Sequence, residues 1–191
     1  DERTGNFFRI SQRYYSLARN FKGINNIKSS EKNILCALDN CKKDFSIKPP
    51  RGWDFIKDEL IAIEKDKKVL FLFGSESRGW KVKAPIRNYS RIIRFYATIL
   101  FDKKEFEFAN SMYESALNYM FEDYEYTQYN ITNLRRGVNL FQINKRKSKK
   151  LINDSIKKLE ENMIPENDKS FYELHKKEIL DIVKKAKEII K

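Results

Sequence analysis

The sequence predicts an all-α fold, with antiparallel helical hairpins stacked in a short array and a C-terminal helix capping it. Three observations predict this. Small residues recur at fixed intervals: Ala18, Ser30 and Ala37 are twelve and seven apart, Ala97, Ala109 and Ala116 repeat both intervals, and Gly137, Ser148 and Ser155 follow eleven and seven apart. Closely crossing helices need such residues, because a larger side chain forces the backbones apart. The 191 residues include only 6 glycines and 4 prolines, which leaves long stretches free to be helical. Within those stretches apolar residues recur at three- and four-residue spacing, the period of an amphipathic helix.

The elements follow in order. Phe7 to Lys22 and Ser29 to Lys43 form the first hairpin, with Gly23 ending one helix and Ser29 or Ser30 capping the next. Lys48 to Pro50 breaks the chain, and Trp53 to Lys65 then carries Phe55, Ile56, Leu60, Ile61 and Ile63 at helical spacing. Val69 to Phe73 is a continuous apolar run followed by a polar turn from Gly74 to Gly79 and then Trp80 and Val82. It reads as a small irregular or β-hairpin insertion near residues 69–84, inside a larger insertion of about 48–87. Asn88 to Phe101 and Glu105 to Phe121 make the second hairpin across a turn at Asp102 to Lys104, and Asn130 to Gln142 with Ser148 to Asn162 make the third. After Pro165, Lys169 to Ile190 forms the capping helix, with Phe171, Leu174, Ile179, Ile182, Val183, Ala186 and Ile190 on one side. At this length, one helical domain spanning residues 1–191 is the expected organisation.

The small-residue positions are similar to those of the tetratricopeptide repeat, a helical hairpin of 34 residues. Ser90 to Asp123 resembles it best, through Ile93, Tyr96, Ala97, Leu100, Phe106, Ala109, Tyr113 and Ala116. Ser11 to Asp44 supplies Tyr14, Leu17, Ala18, Phe21, Ser30, Ile34 and Ala37, and the third unit is one residue shorter. A plain helical bundle, in which alanine is also common at crossings, is the alternative. The resemblance implies a non-enzymatic interaction scaffold whose first helices line a concave face. It places Tyr15, Arg19, Lys22, Arg91, Arg94 and Arg135 on or near that face, as a basic groove for an acidic or extended peptide segment of another protein. The lysine and asparagine that let some family members clamp a chaperone's terminal carboxylate have no counterpart, since Tyr15, Arg19, Arg94 and Thr98 stand at those positions.

Charge adds a rival reading. Lys and Arg number 39 against 27 Asp and Glu, a net charge of +12, and the surplus favours anionic partners. Basic residues cluster in Arg87 to Arg94, at Arg135 and Arg136, in Lys145 to Lys150 and along the final helix, so a nucleic-acid-binding helical domain is the second expectation, with tyrosines available for stacking. Gly74, Ser75, Arg78 and Gly79 look like the opening motif of polymerase-beta-type nucleotidyltransferases. Those enzymes need two metal-binding carboxylates shortly downstream, and Ala84 to Ser90 contains none, which leaves at most a degenerate nucleotide binder.

No catalytic set assembles elsewhere, and no cofactor or metal is expected. His175 is the only histidine, and it reads as a solvated side chain on a lysine-rich helix. Cys36 and Cys41 read as one partly exposed and one packed thiol in a reducing, cytoplasmic compartment. The longest apolar run, Val69 to Phe73, is far too short to cross a bilayer.

Overall fold

The computed structural model describes residues 4–46, 78–120 and 125–191, and every regular element among them is helical. Its α-helices are α1 (Thr4–Gly23), α2 (Ile27–Ser46), α3 (Arg78–Asp102), α4 (Phe106–Leu117), α5 (Tyr126–Leu140), α6 (Lys145–Lys158) and α7 (Lys169–Ile190). Two short 3₁₀ turns, Glu161–Met163 and Glu166–Asp168, lead into α7. These residues form two compact units, Asp1–Ile92 and Ile93–Lys191, divided within α3. The break at Lys48 to Pro50, the helix expected over Trp53 to Lys65, the apolar run Val69 to Phe73 and the Gly74 to Ser77 part of the turn all lie outside the described residues.

One expectation is corrected. Arg78, Gly79, Trp80 and Val82 belong to the first turns of α3 and not to a β-hairpin. The turn expected to end at Gly79 gives way to a helix that runs on through Pro85. An isolated two-stranded ribbon is marginal in water, whereas extending an existing helix adds a backbone hydrogen bond at every residue but Pro85, which has no N–H, without a new nucleus.

The small-residue spacing marks the helix crossings. Ala18, Ser30, Ala37, Ala97, Ala109, Ala116 and Ser148 are fully buried, and Ser155 nearly so. Ser30 Oγ donates to the Ala18 carbonyl at 2.7 Å, and Ser148 Oγ donates to the Gly137 carbonyl at 2.8 Å. Each serine therefore ties the second helix of its hairpin to the crossing point on the first. Gly137 fits the tightest crossing, because a Cβ there would lie 2.7 Å from Ile152 Cγ1 and 3.3 Å from the Ile152 backbone nitrogen.

The first two hairpins turn in the same way. Asn25 and Lys104 both take the left-handed conformation, at φ 59° and 65°. Around them Asn25 N–H donates to Lys22 O and Asn26 N–H to Phe21 O, while Lys104 N–H donates to Phe101 O and Glu105 N–H to Leu100 O, all at 2.8–2.9 Å. This is a Schellman closure, repeated at an interval of 79 residues. The third turn is one residue shorter and has no left-handed residue; instead Asn144 Oδ1 caps α6 by accepting from Lys147 N–H at 3.1 Å. Asn26 caps α2 in the same manner, accepting from Ser29 N–H at 3.0 Å, so the cap falls three residues before the expected serine. Ser30 is unavailable as a cap because it is buried at the crossing.

In the C-terminal unit the core joins Ile131, Leu134, Ile152, Ile156, Leu159, Ile164, Tyr172, Ile179 and Ala186, so α7 packs on the third hairpin as a covering helix should. Tyr96 meets Phe108 edge-on with ring centroids 6.0 Å apart, and Phe101 meets Phe106 at 5.6 Å, which fastens α4 to the end of α3. Asp168, almost fully buried, reaches from the start of α7 to the start of α5, where its Oδ2 accepts the Thr127 N–H at 2.6 Å. One side chain thereby caps a helix 41 residues upstream.

Candidate functional site

In the N-terminal unit a polar chain begins at buried Ser11 and Asn88. Asn88 Nδ2 donates to Ser11 Oγ at 2.8 Å and approaches Cys41 Sγ at 3.8 Å, which links α3 to both helices of the first hairpin. With its amide oriented in this way, Asn88 Oδ1 accepts from Arg91 Nη2 at 3.0 Å, one helical turn further along α3. The guanidinium of Arg91 is thus held over the Tyr15 ring, 4.5 Å from its centroid, and Arg19 approaches the same ring at 6.0 Å from one turn along α1. Ser11, Tyr15 and Arg19 share one face of α1 at four-residue spacing, and Lys22 continues that stripe into the last turn.

No carboxylate among the described residues pairs with Arg19 or Arg91, and the Arg91 Nε is buried with no hydrogen-bond partner. Two guanidinium groups on one aromatic ring, with donors left over, match in their chemistry a planar, doubly accepting anion such as a carboxylate or phosphate.

The C-terminal unit treats its arginines differently. Arg94 donates to Gln128 Oε1 and, at 3.3 Å, to Thr132 Oγ1, a tie from α3 to α5. Arg135 pairs with Glu178 on α7 at 3.4 Å, and Arg136 bonds Glu114 and, at 3.1 Å, Asn110 on α4. Both Arg94 and Arg135 act on the hydroxyl of buried Tyr113. Burial pushes that phenol far above its ordinary range, against the opposing pull of the two arginines. Of the six residues expected on one groove, the structure brings Tyr15, Arg19 and Arg91 together in one unit, and sets Arg94 and Arg135 around Tyr113 in the other.

Asn88 is the residue that sequence reading missed. An asparagine one turn before an arginine, at the start of an expected helix whose inner face is mostly apolar, was the available signal, because a buried amide must be satisfied and so fixes its neighbours. The burial expected of the two cysteines holds, and His175 is less solvated than expected. Cys41 is buried and Cys36 partly exposed, both as free thiols. His175 is partly exposed, stacked on Phe171 at 4.4 Å between centroids and 3.9 Å from Glu178. Among the described residues no three His, Cys, Asp or Glu side chains gather as metal ligands, and no helix is long and apolar enough to cross a membrane.

No protein-family model, curated protein or solved structure matches the chain.

Proposed function

We propose that this protein is a tetratricopeptide-like interaction module that binds an acidic or phosphorylated segment of another protein without catalysing a reaction, and that Tyr15, Arg19 and Arg91 receive the anion, with Lys22 beside them. The observation that carries the proposal is the convergence of two guanidiniums on the Tyr15 ring with no carboxylate partner among the described residues, whereas Arg94, Arg135 and Arg136 are bonded within the fold. The turn geometry repeated at 79 residues supports the repeat reading, since equivalent backbone closures in two hairpins are expected of duplicated units.

Fluorescence anisotropy with a labelled poly-glutamate peptide tests it. Changing both Arg19→Gln and Arg91→Gln removes two charge-assisted contacts, each worth roughly 1.5–3 kcal/mol, and should weaken binding at least tenfold. Arg135→Gln should leave the affinity within about threefold, because its surface pair contributes little. Equal affinity of the double variant and the parent overturns the assignment.

A further inference from the structure

Helix α6 carries seven basic residues and one acidic, Asp154, a net charge of +6 on 14 residues and half of the surplus of the whole chain. Its inner face is spent: Ser148, Ile152, Ser155 and Ile156 are buried against the rest of the unit. On the outer face Arg146, Lys147, Lys149, Lys150 and Lys157 are exposed, and none pairs with a carboxylate among the described residues. Lys145 rests over the Phe141 ring at 5.5 Å.

This arrangement works against the fold. Five cations occupy the first six positions of α6, where the helix dipole is itself positive, and Lys145 with Lys149 and Arg146 with Lys150 are like-charge pairs one turn apart. An anion laid along this face relieves both penalties.

We infer that the outer face of α6 binds the phosphate backbone of a nucleic acid, independently of the Tyr15 site. Three features select that partner. The exposed face offers charge without aromatic anchors, and charge alone supplies non-specific affinity for a polyphosphate strand, whereas peptide interfaces rely on buried anchors. Charge also draws such a helix to anionic lipid, but firm membrane binding adds an apolar face buried among the acyl chains, and here that face is already inside the protein. Beside Lys157 and Lys158 the surface opens into a groove of about 410 Å³ that also holds Asn133, Leu151 and the one acidic residue of the helix, Asp154, room for a base whose strand follows the lysines.

The test is anisotropy of a short fluorescent single-stranded oligonucleotide over a salt series, with the full chain and with the triple variant Arg146→Gln, Lys149→Gln, Lys150→Gln. If the five exposed cations each meet a phosphate, log affinity falls with log salt at a slope of about −3.5 for the parent and about −1.4 for the variant, with binding at least tenfold weaker. The variant should also melt at a higher temperature than the parent, which shows that it folds. A flat salt series, an unchanged slope in the variant, a loss of poly-glutamate binding in the variant as large as its loss of oligonucleotide binding, or tighter binding to vesicles containing anionic lipid each overturns the proposal.

Discussion

Gly137 is the position where a single methyl group decides the most. In an open helix Gly→Ala gains close to 1 kcal/mol from propensity, but here the new Cβ meets Ile152 at 2.7 Å. Gly137→Ala should instead lower stability by about 1–3 kcal/mol in urea unfolding, the usual cost of overpacking. Lys104 is the opposite case: at φ 65° its side chain is strained where glycine is at ease, so Lys104→Gly should gain about 0.5–1 kcal/mol by the same measurement. Tyr113 sets an alkaline limit. Up to the ordinary phenol value of 10.0 both folded and unfolded states hold the proton; above it the unfolded chain ionises while the buried phenol does not, so stability falls as pH rises. Burial raises Tyr172 in the same sense, and hydrogen bonds to Glu161 and Glu173 raise Lys176, so both add to the decline. Tyr113→Phe should make the loss above pH 10.0 shallower by up to about 1.4 kcal/mol per pH unit, read from urea midpoints across that range.

At the level of elements, Asp168 joins α7 to α5 through the Thr127 amide. Asp168→Ala should cost about 1–2 kcal/mol and speed hydrogen exchange at Thr127, whereas Asp168→Asn, which keeps an accepting oxygen at the same reach, should retain most of the protection. How far these elements could be read from sequence depended on the kind of signal. The crossings at Ala18 with Ser30 and at Gly137 with Ser148 were legible, because close packing restricts residue size. The span of α7 was legible from end to end, since Pro165 and the apolar stripe bound it. The start of α3 was not: Gly79 and Pro85 are local breakers, and local signals lose when extending a helix needs no new nucleus. Nor were the partners of the groove arginines, since the register that placed them on one face says nothing of which of them bond within the fold.

For the whole molecule, the two units hold their charge in different ways. The C-terminal unit bonds Arg94, Arg135 and Arg136 to its own side chains and leaves the lysines of α6 outside, whereas the N-terminal unit leaves two arginines open on one tyrosine. The Asp168 cap also imposes an order of events. As the chain is synthesised, the first turn of α5 emerges with an amide whose partner is still 41 residues away, so the third hairpin can form its crossing early but cannot close its leading end until the segment before α7 arrives. Until it does, the Thr127 amide bonds to water, and the first turn of α5 is the part of the hairpin left most open to solvent.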